Sequence, residues 1–343
     1  MLPVTRPLPV TTTSPTIPDY SHVSAAADSA AAANVLQNYQ NHRPPNTLRA
    51  QAADLEKWGM YLTPLDPSLA NCDWQGCLPC WRHVTAGLVQ GFQSYLLANG
   101  QSIATTNRAL ATVKRYCQLA AVANIIPSDR AERIRCVTGL HGKDARNLDT
   151  QRPVTRVGRK KANWTQINES QRAALYNLPD SPLGRRDKVI VTLLCELGLR
   201  VGELVRLTVE GVSIEKGRLT VYRPKTDLWQ THALTTTALT ALTRYLQHDQ
   251  HAASGNLLLG SRKGGKLQGG MSEQAVNERI GVLGDSIGVP NLSPHDLRHD
   301  WATRASVRTP VRVLQEAGGW RSPAMPLRYA AAGAIANEGV ILA

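Results

Sequence analysis

Aromatic residues are scarce in this sequence: they make up 5% of 343 residues, and phenylalanine occurs once. Leu, Val, Ile and Ala, helped by seven Trp and nine Tyr, must therefore supply the packing of any core. No apolar run approaches the ~20 residues that a membrane span needs, and the N-terminal stretch lacks a charged-then-apolar signal pattern. A cytoplasmic protein, or one associated with the nucleoid, is the expectation. Acidic residues are also few, 26 against 39 Lys and Arg, which leaves a formal charge of +13. Such a surplus points to nucleic acid or an anionic surface as partner, and does not bear on fold. With no membrane segment in view, nucleic acid is the expected partner.

The six cysteines are read as reduced thiols. Cys72, Cys77 and Cys80 lie close together but lack the two ligand pairs of an ordinary structural zinc site. His83 could serve as a fourth ligand, yet a loop of small residues is the expected reading. A zinc site is therefore not anticipated there.

The length favours two domains. Residues 1–45 are rich in Pro, Thr, Ser and Ala with four charges that cancel, and read as a flexible arm within which 25–40 could form a transient helix. Apolar spacing then predicts helices over 47–62, 84–98 and 102–123, with a short one from Ser128. Residues 46–141 thus form an expected all-helical, DNA-binding domain. Arg108, Lys114 and Arg115 fall on the polar side of its third helix. The stretch 130–161 holds ten Lys and Arg against three acidic residues. Its weak periodicity reads as a basic interdomain linker over 142–164, suited to phosphate contact through Arg159, Lys160 and Lys161. Residues 165–343 read as a mixed domain with a C-terminal tail. Helices are predicted near 168–177, 185–197, 203–207, 237–249, 273–287, 294–306, 310–317 and 322–330. Strands at 218–223 and 231–234 flank a turn at 224–229. The fold class expected is mainly α with a small β-sheet.

Six side chains in this second domain suit chemistry at a phosphodiester. Arg200 and Arg298 are planar, permanently charged donors for an anionic phosphate whose charge grows in the transition state. His295 lies one helical turn before Arg298 and can bind phosphate or assist proton transfer. Lys225, in the turn between the strands, can bring a proton to a leaving oxygen. Trp320 can pack on the site and donate its indole N–H. Tyr329 offers an oxygen nucleophile, though its ordinary pKa near 10 requires a base or a cationic setting. The residues alone suggest a phosphate site without fixing the reaction.

The segments Leu199-Arg-Val-Gly-Glu-Leu204, Lys225, Pro294-His-Asp-Leu-Arg-His-Asp-Trp-Ala-Thr-Arg304, Gly318-Gly-Trp320 and Arg328-Tyr329 resemble the successive motifs of the tyrosine recombinase (phage integrase) family. Their order and gaps fit over roughly 165–335, and the helical 46–141 segment is more loosely similar to the family's core-binding domain. Trp320, where many members have His, makes the chain resemble the Cre branch most. The resemblance implies a C-shaped clamp of a helical core-binding domain and a mixed α/β catalytic domain. It implies that Arg200, Lys225, His295, Arg298 and Trp320 activate a phosphate, that Glu203 supports them, and that Tyr329 forms a 3′-phosphotyrosine link. A homotetramer on double-stranded DNA, exchanging strands at specific recombination sites through a Holliday junction without metal or cofactor, is the implied activity. The apolar tail residues Ile335, Val340, Ile341 and Leu342 are expected to dock on a neighbouring protomer. A type IB topoisomerase-like relaxing enzyme and a catalytically silent architectural protein are the alternatives.

Overall fold

The structure is a computed structural model that describes residues 21–157, 161, 163–261 and 265–333. The chain divides into two compact units, Met1–Lys160 and Lys161–Ala343. Among the described residues no helix is long and apolar enough to cross a membrane.

The first unit is helical: α1 (Ser21–Asn41), α2 (Pro45–Leu62), α3 (Ala86–Ala98), α4 (Ile103–Val122), α5 (Ser128–Arg135) and α6 (Gly142–Gln151). Local chemistry marks several of the starts. Proline occupies the first position of α2, where its missing N–H costs nothing. The side chains of Thr85 and Ser102 accept from Leu88 N and Thr105 N and cap α3 and α4. Aromatic rings stack at the centre of this unit's core. Trp58 lies parallel to Trp81 at 6.0 Å and edge-on to Phe92 at 5.1 Å, and all three are fully buried. Asp54, also buried, ties α2 to α4 by accepting from Arg108 at 2.7 Å and from the Thr112 hydroxyl at 3.0 Å.

Two expectations change here. Helix α1 occupies the second half of the expected arm, and its end is held down by Tyr39. That residue is buried, its hydroxyl accepts from Gln51 at 2.6 Å, and the guanidinium groups of Arg43 and Arg115 lie 4.7 and 4.8 Å from its ring centre. Residues 1–20 fall outside the described part. Helix α6 begins the expected linker, and Arg152 just after it donates to the carbonyls of Leu97 and Gln101 at 3.0 Å each. One basic side chain of the linker is therefore a structural clasp. The segment with Cys72, Cys77 and Cys80 folds as two 3-10 turns, Pro67–Asn71 and Leu78–Trp81. Burial, with hydrogen bonds to Cys77 and Cys72, pushes the Cys80 thiol up to about 12. No group of three or more His, Cys, Asp and Glu side chains is arranged to hold a metal among the described residues.

The second unit runs α7 (Glu169–Tyr176), α8 (Pro182–Glu196), α9 (Val201–Leu204), β1 (Val212–Ser213), β2 (Arg218–Arg223), β3 (Leu228–Ala233), α10 (Thr236–His248), β4 (Leu259–Ser261), β5 (Leu267–Gly270), α11 (Glu273–Ser286), α12 (Pro294–Ser306), α13 (Val311–Gly318) and α14 (Ala324–Gly333). Helix α8 is the centre. Val189, Ile190, Val191, Leu193 and Leu194 are all fully buried, and α10 and α12 pack against it. From Val189 to Cys195 every residue is buried, so this half of the helix faces core on all sides, whereas Arg185, Arg186, Asp187 and Lys188 occupy the half before it. Strands β1, β2 and β3 form an antiparallel sheet with Thr220 opposite Thr231. Leu219, Val221 and Arg223 alternate inward along β2. The hairpin turn is tighter than 224–229, because Tyr222 and Trp229 pair across the strands at 5.0 Å and extend the ladder to Leu228. The short pair β4–β5, rich in glycine, has no counterpart in the expected elements.

Candidate active site

The site is assembled where α9, the β2–β3 hairpin, α12, α13 and α14 meet. Arg200 stands at the start of α9 with Glu203 three residues on. Its backbone N–H and its Nη1 each donate to a Glu203 carboxylate oxygen, at 2.9 and 2.6 Å, and Nη2 donates to the Gly319 carbonyl at 3.0 Å. Glu203 is buried, and its Oε2 also accepts from Arg223 at 3.0 Å. Burial works to raise the Glu203 pKa, but Arg223 and the bonds from Arg200 outweigh it and hold the carboxyl below its usual range.

Helix α12 begins with Pro294 in its first turn and a reciprocal cap between Ser293 and Asp296. Its pitch places Arg298 inward, where the guanidinium donates to the carbonyls of Gly198 and Gly318, the latter at 2.6 Å. The same group lies 4.8 Å from the Trp320 ring, which stacks on Trp301 at 6.0 Å. Burial, then the charge of Arg200, pushes Arg298 down to about 9, so it stays protonated at neutral pH. Gly198, and Gly319 whose carbonyl accepts from Arg200, both have a left-handed backbone. A Cβ on Gly198 (φ +61°) would stand 2.1 Å from Trp301, and one on Gly319 (φ +60°) would stand 2.6 Å from Arg223.

Tyr329, on α14, is 6% exposed. Its ring lies 5.7 Å from Trp320, and its hydroxyl is 3.5 Å from Nε2 of His299. Burial raises its pKa, opposed by the charges of Arg298, Arg328 and Arg200, and the net direction is upward. His295 is exposed on the first turn of α12, with its Nε2 2.9 Å from Nε2 of His299. Lys225 is exposed on the hairpin turn and lines an open pocket with Arg200, Thr226, Gly319, Trp320 and Arg321. Arg321 donates to the Lys225 carbonyl and ties that turn to the segment after α13.

All six residues singled out for phosphate chemistry, with Glu203, thus lie in or beside one site. The basic residues expected to contact DNA are placed differently. Arg108 is bound to Asp54, Lys114 donates to the carbonyls of Arg135 and Val137 at 2.6 Å, and Arg115 flanks Tyr39. Lys161 pairs with the buried Asp296 at 2.5 Å. Each of these four thus has a partner within the protein in this structure. Arg159 and Lys160 lie outside the described residues, as do the tail residues Ile335, Val340, Ile341 and Leu342.

Two functional neighbours escaped the sequence reading. Arg223, the last residue of the expected strand 218–223 and given no role there, is 1% exposed. Its five N–H groups meet Gln230, Glu203, Gly318 O, Ala317 O and His232. His299 was legible in principle: it stands four residues after His295 in a helical motif, the spacing of neighbours on one face.

The profile described as the phage integrase family matches residues 165–334. The chain belongs to that family. Over 138 residues it is 35% identical to tyrosine recombinase XerA of Pyrococcus furiosus, covering 40% of this chain and 47% of the relative. It is 26% identical over 266 residues to tyrosine recombinase XerD of Proteus mirabilis, covering 75% and 73%. The chain spans about half the length of the XerA relatives it matches. Among solved structures, a Tn1549 transposon integrase in complex with transposon right end DNA is similar with a TM-score of 0.62, at 14% identity, covering 87% of this chain and 94% of that one. A lambda integrase dimer bound to a COC′ core site is similar with a TM-score of 0.57, at 13% identity, covering 90% and 97%. These likenesses bear out the mainly α fold with a small sheet. The sequence relatives carry Xer names, whereas Trp320 had suggested the Cre branch.

Proposed function

We propose that this integrase-family chain is a site-specific recombinase. It cleaves and rejoins double-stranded DNA through a 3′-phosphotyrosine link on Tyr329. One observation carries the reading. Arg200 and Arg298 each have two of five guanidinium N–H groups bound to protein acceptors, and Tyr329 packs beside them against Trp320. The unused donors can take nonbridging phosphate oxygens, whereas all five of Arg223 are committed to the protein. Arg223 accordingly holds Glu203 and the end of α13 in place.

In this reading Arg200 and Arg298 neutralise the charge that gathers on the phosphate, with His295 and Trp320 adding hydrogen-bond donors. The phenol oxygen attacks phosphorus, the bond to the 5′-oxygen breaks, and Lys225 supplies that oxygen's proton from the hairpin. The ester keeps the phosphodiester energy for rejoining. The active assembly is a tetramer on two sites, passing through a Holliday junction.

A library of random nicked duplexes, incubated with the full chain and run under denaturing conditions, tests the proposal. Wild-type protein should retain a subset of duplexes covalently, the adduct should map to Tyr329, and Tyr329→Phe should bind the same duplexes without one. An adduct formed by Tyr329→Phe would assign the nucleophile elsewhere.

A further inference from the structure

The recombinase reading leaves one proton without a destination, that of the Tyr329 phenol. Nε2 of His295 is 2.9 Å from Nε2 of His299, and His299 Nε2 lies 3.5 Å from the Tyr329 hydroxyl. His299 is held from both sides. Its ring stacks on Trp164 at 5.5 Å with 17° between planes and meets the His295 ring edge-on at 4.3 Å. Its Nδ1 is buried with no hydrogen-bond partner. The imidazole therefore has one working nitrogen, Nε2, and two neighbours that compete for it.

We infer that His299 is a catalytic residue that accepts the Tyr329 phenol proton as the tyrosine attacks. Resting on the recombinase reading, this inference adds a hand-over to it. Without DNA, His295 and His299 share a proton between their Nε2 atoms. Once a phosphate is bound, His295 turns its N–H to a phosphate oxygen and releases the lone pair on His299 Nε2. The phenol proton then moves to that nitrogen while the phenol oxygen bonds to phosphorus and the bond to the 5′-oxygen breaks. Rejoining returns the proton from His299 Nε2 to the phenol oxygen.

The environment fixes the timing. Burial first, then His295, Arg328 and Arg298, hold the His299 imidazole down at about 4, with Asp296 opposing. The Tyr329 phenol is held above its usual value. Complete transfer before attack is thus unfavourable, and the proton must move in step with P–O bond formation, as the phenol becomes acidic. The anionic phosphate then stands near the new imidazolium and stabilises it.

The test uses the full chain and whichever nicked duplex wild-type protein captures covalently from the random library. His299→Ala and His299→Gln are compared with wild type for adduct rate in single turnover, for duplex binding, and for rescue by free imidazole. Both variants should bind within about twofold of wild type and form adduct roughly 100-fold more slowly. Glutamine restores a hydrogen-bond acceptor but takes no proton, so it separates proton acceptance from simple orientation. Imidazole should accelerate the alanine variant, and the rate of both variants should climb with pH as free phenolate becomes the nucleophile. Wild-type rates in either variant overturn the inference, as does a slow alanine variant that neither imidazole nor alkaline pH restores. Absence of any wild-type adduct would overturn the recombinase reading and this inference with it. A wild-type adduct with fully active His299 variants would sink the inference alone.

Discussion

One carboxylate oxygen of Glu203 lies 2.6 Å from Nη1 of Arg200, three residues before it, and the carboxylate is almost wholly buried. Its other oxygen holds Arg223 at 3.0 Å. Removing the carboxylate in Glu203→Ala would leave a buried guanidinium without its counter-charge. Loss of one partner of such a pair costs about 3–5 kcal/mol. Urea denaturation of the variant should show a correspondingly lower midpoint, and an unchanged midpoint would deny Glu203 its central place.

Stability should also fall with acid in two stages. His232 and His299 are both held at about 4, by burial first and then by Arg223 and His295 respectively. The unfolded imidazoles titrate near 6.5 and take up protons before the folded ones do. Their contribution is thus full above that value and is lost as pH falls towards 4. Glu203 acts lower. Its stabilisation is present above 4.5, the unperturbed value, and disappears as pH drops through the depressed folded value. A series of unfolding midpoints against pH should show the first decline between 6.5 and 4, and His232→Gln should shallow it.

Lys225 is proposed to protonate the leaving 5′-oxygen. Lys225→Ala should slow cleavage of an ordinary duplex by about 100-fold or more. A duplex with sulfur at the 5′-bridging position leaves without a proton and should be cut by the variant at close to the wild-type rate. Equal defects on both substrates would place Lys225 in phosphate binding.

Gly198→Ala tests the backbone behind the site. The added methyl group would meet the Trp301 ring at 2.1 Å on a left-handed backbone. Strain and overpacking together should cost about 2 kcal/mol or more. Because Trp301 stacks on Trp320, tryptophan fluorescence should shift even in the folded variant. A folded protein with an unaltered spectrum would show that the stack tolerates displacement.

Much of the second unit was legible because its motifs lie on strongly patterned helices. Helix α12 runs Pro294–Ser306, over the range expected for it, while its capping box between Ser293 and Asp296 is a finding of the structure. Trp320 and Tyr329 could be placed in one site only through the order of motifs, since nothing local brings α13 and α14 onto α12. Arg223 was hidden by its setting. An arginine at a strand end is ordinarily solvated, and only tertiary structure supplies five acceptors for it. Helix α1 was read as part of an arm with at most a transient helix over 25–40, and the few side chains that anchor it, Tyr39 with Val35 and Leu36, cluster at its end. The protein partners of the first unit's basic residues were hidden for a related reason. Charge signals solvent or phosphate in a sequence, but Asp54 and free backbone carbonyls claim Arg108 and Lys114.

Three arginines, 200, 223 and 298, end on the carbonyls of residues 317 to 319, the final turn of α13. Such carbonyls lack partners inside their own helix and carry partial negative charge. Neutral backbone thus steadies three like charges that share one acid, Glu203. An incoming anion meets cations already fixed in space, and no carboxylate must be evicted to admit it.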